Sequence, residues 1–222
     1  MMARYRQKTG FTIVEMLMVV AVLAILMGIV TTAATAAIRH SRGRKAEAVK
    51  AVIQNGIATY RSQRDVWPPK GGILDKWSDD GLSGDQNNGV SSGRQVAFLS
   101  ASQYDDMMYE LARVSVGQSG ASPVMDVMGI AVARRSVADS GKGRGQEFRE
   151  AIKKNKKHGE TLKLKEMAFG YITEKGLFRR FIVQYNVGGD SVAVLTEADY
   201  RNWWDEMQSG RSIQWPTGYT AK

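Results

Sequence analysis

The feature that most constrains this chain is an apolar segment near its N-terminus. Residues 11–38 contain a single charged side chain, Glu15. The uncharged part of the segment, residues 16–38, would form a helix about 34 Å long, and the hydrocarbon core of a membrane is about 30 Å thick. A helix that is apolar on every face does not suit a solvated surface. The segment therefore predicts a helix that lies in lipid or is packed on all sides by protein.

The composition of the 222-residue chain excludes several classes of fold and function. Hydrophobic residues make up 43% and charged residues 24%, which is enough apolar surface for a core. The absence of cysteine excludes a disulfide framework, a thiolate zinc site and a cysteine nucleophile. The two histidines, His40 and His158, are too few for a multi-histidine metal centre. No P-loop, Rossmann fingerprint or HExxH motif occurs, so we expect neither an enzyme nor a cofactor.

The residues around the apolar segment leave three interpretations open. A basic leader with Arg4, Arg6 and Lys8 and no acid precedes the segment. The simplest interpretation is a plain membrane anchor. A second is a conventional secretory signal that is cleaved after the small residues 34–36. A third depends on Glu15, because an acidic residue inside an apolar segment is costly in a membrane and therefore implies a partner.

The third interpretation comes from the junction between the leader and the apolar segment, Lys8-Thr9-Gly10-Phe11-Thr12-Ile13-Val14-Glu15. A basic leader that ends in Gly10, followed by Phe11 and then by Glu15, resembles the class III signal of type IV pilins and of the pseudopilins of type II secretion systems. The resemblance implies that a prepilin peptidase cleaves between Gly10 and Phe11 and that Phe11 is N-methylated. It also implies that Glu15 meets the cationic α-amino group of Phe11 on a neighbouring subunit during assembly.

One feature of that family is missing from this sequence. Its members often carry a proline in the apolar helix that helps the helix to unwind locally during assembly. No proline lies between Phe11 and Tyr60 here. Gly28, followed by Thr31 and Thr32, is instead the weakest point of the predicted helix.

The resemblance implies a structural subunit of a helical type IV pilus or type II secretion pseudopilus. Such a subunit crosses the bacterial inner membrane once, with its N-terminus in the cytoplasm and its head in the periplasm, and then joins a periplasmic or extracellular filament. The implied partners are further pilin-like subunits, of the same or a different kind, the prepilin peptidase and an inner-membrane assembly platform. Two alternatives stay open: a DNA-binding pilin of a competence system, and a monomeric secreted or anchored periplasmic protein with a conventional signal.

We expect four segments along the chain. These are a cleaved leader (residues 1–10), a transmembrane or filament-core helix (11–38), an amphipathic continuation of that helix (39–64) and a globular head (65–222). The continuation is predicted by apolar residues at helical spacing, namely Ala46, Val49, Val52, Ile53, Ile57 and Tyr60. Pro68 and Pro69 must end the helix. A single helix shared by membrane and head is the lollipop layout that the resemblance implies.

The head is predicted to be α+β with a small antiparallel sheet. Within residues 177–187, alternate residues define a strand: Phe181, Val183, Tyr185 and Val187 share one face, and Gln184 and Asn186 lie on the other. A turn at residues 188–190 leads into a second strand at residues 191–195 and forms a hairpin. Residues 167–172 are a candidate third strand, and residues 124–132 are a weaker one.

Three helices are predicted in the head. Ser102 and Asp105 are spaced to cap one helix, and Thr196 and Asp199 are spaced to cap a short helix near the C-terminus. The short helix carries aromatic residues that we expect to pack on the sheet. A basic helix is expected over residues 146–157.

Two polar clusters are candidate ligand sites in the head. Four hard oxygen donors lie close together in a turn-rich segment and form a weak calcium candidate: Asp79, Asp80, Asp85 and Asn87. The order of an EF-hand is absent, so a solvated turn is the favoured interpretation. Lysines at residues 153–157 favour a solvated helix face and predict at most weak, sequence-independent binding to nucleic acid.

Overall fold

The computed structural model describes residues 12–65, 67–68, 96–115, 124–149, 163–186 and 191–207. The chain divides into two compact units, one that extends to Ser41 and one that begins at Arg42. A long N-terminal helix is followed by antiparallel strands and shorter helices. This arrangement confirms the predicted α+β fold class and fits a pilin-like layout.

Helix α1 (Ile13–Arg64) begins in the first unit and ends in the second. Every residue from 12 to 41 is exposed, and an 18-residue window of the helix has a mean hydropathy of 2.8. By length and composition, α1 is a helix that could cross a membrane. It ends where Asp65 adopts a left-handed φ of 55° and Pro68 follows, because proline cannot continue a helix. The predicted end near residue 64 is confirmed.

The second half of α1 packs one face into the main core of the second unit. The buried residues on this face are Ala46, Val49, Ile53, Gly56, Ile57 and Tyr60, and Val52 is partly buried beside them. A side chain built at Gly56 would place its Cβ 2.9 Å from the Cβ of Met125, so the helix approaches its neighbour closely there. The predicted apolar stripe is confirmed.

Among the residues that the structure describes, seven strands form two antiparallel sheets in the second unit. In chain order they are β1 (Val96–Phe98), β2 (Ala131–Arg134), β3 (Gln146–Glu147), β4 (Met167–Ile172), β5 (Phe178–Arg179), β6 (Ile182–Asn186) and β7 (Ser191–Leu195). One sheet has the order β1-β6-β7 and the other has the order β3-β2-β4-β5. The two sheets supply different walls of the core.

The predicted hairpin is present as β6 and β7. Its register pairs Ile182 with Leu195 and Asn186 with Ser191. Phe181, Val183 and Tyr185 are buried in the main core, as their alternation predicts. The turn at residues 188–190 lies outside the described residues.

The strand predicted within residues 177–187 is divided between the two sheets. β5 pairs with β4, and the chain then passes Arg180 and Phe181 before it pairs with β7 as β6. The predicted third strand is present as β4, but it pairs with β2 and β5 and not with the hairpin. The expectation of one small sheet is therefore corrected to two.

Two further elements have bounds that differ from the predicted ones. The strand expected over residues 124–132 is confined to β2 at Ala131–Arg134. The helix expected from about Gln146 to Lys157 begins two residues later than predicted: Gln146 and Glu147 pair with β2 as strand β3, and residues 148–149 are helical. Residues 150–162 lie outside the described residues, so the rest of that helix stays a prediction.

The helices whose bounds lie within the described residues after α1 are α2 (Ala101–Ser115), α3 (Arg135–Asp139) and α4 (Glu197–Met207), and a 3-10 turn covers Leu164–Glu166. Helix α2 is capped by Ser100 and Gln103 and not by Ser102 and Asp105. The Ser100 N–H donates to Gln103 Oε1 at 2.7 Å, and the Gln103 N–H donates to Ser100 Oγ at 3.4 Å. Both pairs have the spacing of a capping box, and the pair nearer the N-terminus, Ser100 and Gln103, forms the cap.

Helix α4 covers the face of the three-stranded sheet that points away from the main core. Its predicted cap is confirmed, because the Thr196 N–H donates to Asp199 Oδ2 at 3.0 Å and the Asp199 N–H donates to Thr196 Oγ1 at 3.2 Å. Tyr200 and Trp204 are buried against Phe98 and Ile182. The predicted packing of these aromatic residues on the sheet is therefore confirmed.

Candidate functional site

The first candidate site lies at the start of α1, where Thr12 and Glu15 cap the helix reciprocally. The Thr12 N–H donates to Glu15 Oε2 at 2.9 Å, and the Thr12 hydroxyl donates to the same oxygen at 3.0 Å. The Glu15 N–H donates back to Thr12 Oγ1 at 3.2 Å. This pattern is a capping box, which satisfies N–H groups that have no partner within the helix.

The capping box gives Glu15 a function within its own chain. Its carboxylate lies at the N-terminal end of a helix, where a negative charge is stabilised by the helix dipole. The nitrogen of Phe11 is three covalent bonds from the nitrogen of Thr12, so any new amino group at Phe11 would be generated close to this carboxylate. Gly10 and Phe11 themselves lie outside the described residues, and their cleavage stays a prediction.

The capping function of Thr12 was not among the sequence-based predictions, although the sequence contains a signal for it. Thr12 and Glu15 have the threonine-x-x-glutamate spacing of a capping box and directly precede the apolar run. The spacing could have shown that Glu15 has a local partner as well as an expected partner on a neighbouring subunit.

Further along α1, the exposed threonines hydrogen-bond to the backbone of the helix. The Thr31 hydroxyl lies 2.9 Å from the Met27 carbonyl oxygen and 3.0 Å from that of Gly28. The Thr32 and Thr35 hydroxyls make the same pattern of bonds to the carbonyl oxygens three and four residues earlier. Such bonds satisfy the hydroxyl in an apolar medium but slightly weaken or bend a helix.

The other sequence-predicted candidates fall elsewhere. The calcium candidates Asp79, Asp80, Asp85 and Asn87 lie outside the described residues, and so do the lysines at residues 153–157. His40 is exposed on α1. Among the residues that the structure describes, no group of three or more His, Cys, Asp or Glu side chains is placed to hold a metal ion.

A buried ion network in the second unit was not expected from the sequence. Arg180, at the crossing between the two sheets, donates from Nε to Asp105 Oδ1 at 2.9 Å and from Nη2 to Asp105 Oδ2 at 2.8 Å. Its Nη2 also donates to Asp139 at 2.7 Å. Burial raises the pKa of Asp105, and this effect exceeds the opposing one of Arg180. Arg180 thus joins α2, α3 and the sheet crossing.

A second ion pair joins α1 to the N-terminus of α4. Lys50 Nζ lies 3.0 Å from Asp199 Oδ2 and 2.6 Å from Glu47 Oε2. Partial burial raises the pKa of Asp199, but the hydrogen bonds from Thr196 and Lys50 outweigh it and hold the pKa below its ordinary value. The carboxylate of Asp199 therefore caps α4 and also forms an ion pair with Lys50 of α1.

Residues 5–31 match the family model described as the prokaryotic N-terminal methylation motif. This motif is the class III signal peptide of type IV pilins and pseudopilins, and the chain carries it where the sequence predicted it. The motif indicates a structural subunit that is made as a pilin-like precursor. No curated protein and no solved structure matches the chain.

Proposed function

We propose that this protein is the precursor of a pilin-like subunit that is cleaved between Gly10 and Phe11 and assembles into a helical filament through the first half of α1. The subunit is structural and not catalytic. The observation that carries the proposal is that the methylation motif at residues 5–31 leads directly into a helix whose apolar side chains are exposed on every face. Such a surface requires lipid before assembly and other subunits after it.

The size of the exposed apolar surface supports this requirement. Ile13, Leu17 and Met27 are 81%, 66% and 70% exposed, and the other large apolar residues up to Ile38 are at least 48% exposed. Burial of one such side chain contributes about 1.5–3 kcal/mol relative to its exposure to water. A segment of this kind therefore gains a large free energy from entry into a membrane or a filament core.

Glu15 has two complementary functions in the proposal. Its hydrogen bonds with Thr12 close the N-terminus of α1 within one chain. Its charge pairs with the N-methylated amino group of Phe11 on a neighbouring subunit, which neutralises both groups in the apolar core of the filament. An anchor or a conventional secretory signal has no use for this acid.

The proposed location follows from the signal. Before assembly the protein crosses the bacterial inner membrane once, with its N-terminus in the cytoplasm and residues 65–222 in the periplasm. Its partners are the prepilin peptidase, the inner-membrane assembly platform and further pilin-like subunits, in a type IV pilus or a type II secretion pseudopilus. The DNA-binding alternative depends on the lysines at residues 153–157 and stays a prediction.

The position of cleavage tests the proposal. When the full chain is produced together with a prepilin peptidase, N-terminal sequencing should find Phe11 as the first residue, and Gly10→Val should block this processing. Ala36→Leu is the matched control, because it removes the small residue that a conventional signal peptidase needs and leaves the Gly10–Phe11 junction intact. Cleavage after residue 36 that Ala36→Leu abolishes would overturn the proposal in favour of a conventional signal.

A further inference from the structure

A cleft in the second unit lies between α1 and the four-stranded sheet. Its volume is about 300 Å³, at the lower end of the range for small-molecule sites. Much of its wall is apolar, with Ala46 and Val49 on the helix side and Ala131 and Ile172 on the sheet side. All the residues that line it belong to the unit that begins at Arg42.

Two cations of α1 line the same cleft. Arg42 Nη1 donates to the Glu174 carbonyl oxygen at 2.9 Å, which holds the guanidinium in place. A guanidinium has five N–H donors and binds phosphate through parallel hydrogen bonds, so Arg42 has donors suited to an anion. Lys45 Nζ forms an ion pair with Glu147 Oε1. Both side chains of this pair are about half exposed, at 48% and 50%, so the pair contributes little and can be exchanged for another anion.

Glycines give the cleft part of its shape, and packing explains only two of them. A Cβ at Gly145 would lie 2.6 Å from the Phe178 ring, and a Cβ at Gly170 would lie 2.0 Å from the Arg179 carbonyl oxygen. These two glycines are required by the sheet. A Cβ at Gly129 would meet nothing within 4 Å, although Gly129 lines the cleft. The space in front of Gly129 is therefore open to a ligand.

The position of the cleft along the chain identifies the kind of ligand. Arg42 is four residues after Ile38, the last residue of the apolar run, and four residues span at most about 14 Å even when extended. Four cations follow that run without an intervening acid: Arg39, Arg42, Arg44 and Lys45. Because opposite charges attract, a basic segment next to a membrane-spanning helix attracts anionic lipid headgroups on whichever side of the membrane it lies.

We propose that this cleft binds an anionic phospholipid of the membrane in which α1 is anchored. The lipid phosphate is held by Arg42, and the adjacent apolar part of the lipid lies against Val49 and Ile172 in front of Gly129. Glu147 competes with the phosphate for Lys45. The proposal rests on the membrane insertion proposed above but not on processing or filament assembly.

The test uses the full chain, purified in a neutral detergent and titrated with phosphatidylglycerol or with phosphatidylcholine of the same acyl chains. Native mass spectrometry counts the lipids that stay bound. Both lipids carry a phosphate, but phosphatidylcholine also carries a cationic choline group that Arg42 and Lys45 repel. We therefore expect phosphatidylglycerol to bind about tenfold more tightly than phosphatidylcholine, a difference of about 1.4 kcal/mol. Glycerol phosphate at the same concentrations should not bind, since it lacks the apolar part.

Matched variants separate the cleft from its surroundings. Arg42→Gln should weaken phosphatidylglycerol binding about tenfold, whereas Arg44→Gln makes the same change of charge at an exposed residue outside the cleft and should weaken it less than twofold. Gly129→Leu should fill the cleft and weaken binding without a change of charge. Glu147→Gln should strengthen binding, because it frees Lys45 for the phosphate.

The outcomes distinguish the possible failures. Equal losses in Arg42→Gln and Arg44→Gln, with no effect of Gly129→Leu, would mean general attraction to a basic segment and would overturn the cleft site. Equal binding of phosphatidylcholine, or of glycerol phosphate, would overturn the anionic lipid as the ligand. If Gly129→Leu does not fold, as judged by circular dichroism, the opposite effects of Arg42→Gln and Glu147→Gln still decide the proposal.

Discussion

Helix α1 continues without a break from Ile13 to Arg64, yet its two halves have opposite surroundings. Residues up to Ser41 expose their apolar side chains on every face. From Ala46 onward, apolar residues recur at helical spacing and are buried in the main core, as in Ile53 and Ile57, both 0% exposed. The comparison shows that the two halves of one helix can suit two different environments. An apolar stripe marks the half that packs on its own chain, and apolar residues on every face mark the half that needs lipid or another subunit.

The largest expected effect of a single change falls on assembly through the first half of α1. Glu15→Leu should leave membrane insertion intact or improve it, because it removes a charge from an apolar segment. It should also abolish filaments, because the neighbouring Phe11 amino group loses its partner. Filaments sheared from cells and the membrane fraction of the same cells measure the two effects separately.

Glu15→Gln sharpens this test, because glutamine keeps the capping box with Thr12 and removes only the charge. We expect Glu15→Gln to lose filaments as Glu15→Leu does. Normal filaments with Glu15→Gln, together with loss in Glu15→Leu, would show that Glu15 acts only as a helix cap. Normal filaments in both variants would refute any function of this carboxylate in assembly.

The second prediction compares an isoleucine in each half of α1. Ile57→Ala removes buried methyl groups from the core and should lower the free energy of unfolding of the second unit by about 2–4 kcal/mol. Ile25→Ala is the matched control, because Ile25 is 64% exposed in the first half and its loss should change that free energy by less than about 0.5 kcal/mol. Denaturant unfolding of the full chain in detergent measures both, and similar values would contradict the division of α1 into two halves.

Local patterns predicted much of the fold. The stripe on the second half of α1 and the hairpin of β6 and β7 each depend on a periodicity within a few residues of chain, and both are confirmed. The cap of α4 is also local, and Thr196 and Asp199 form it as expected. The methylation motif is equally local, which is why it was recognisable within residues 5–31 without a structure.

The features that the sequence did not predict depend on distant pairing. Asp105 and Arg180 are 75 residues apart, and their ion pair decides that Asp105 enters the core instead of capping α2. Two adjacent arginines with apolar neighbours, Arg179 and Arg180, were the available signal for a buried cation. Strand β3 has only two residues, and pairing with β2 decides its conformation. No local sequence pattern predicts the cleft in front of Gly129, because separate segments of the chain form its walls.

The smallest expected effect concerns Asp199, whose contact with Lys50 ties the second half of α1 to α4. Because the pKa of Asp199 is held below its ordinary value of 3.8 in the folded protein, its contribution to stability is present above that pH. The contribution is lost as the pH falls through the lowered pKa. Asp199→Ala, which removes both the cap and the charge, should therefore reduce the free energy of unfolding by about 1 kcal/mol at neutral pH, the usual value of a helix cap, and by less in acid.

The wild-type pH profile alone would not isolate this effect, since Asp105 contributes with the opposite sign. Its pKa is raised in the folded protein, so its contribution is present below the ordinary pKa and is lost as the pH rises through the raised value. The difference between wild type and Asp199→Ala cancels Asp105, because both proteins contain it. Lys50→Met is the matched control: it removes the ion pair, keeps the cap at Thr196 and should have a smaller effect than Asp199→Ala. A difference that grew as the pH fell below 3.8 would contradict the lowered pKa of Asp199 and the link between the two helices that produces it.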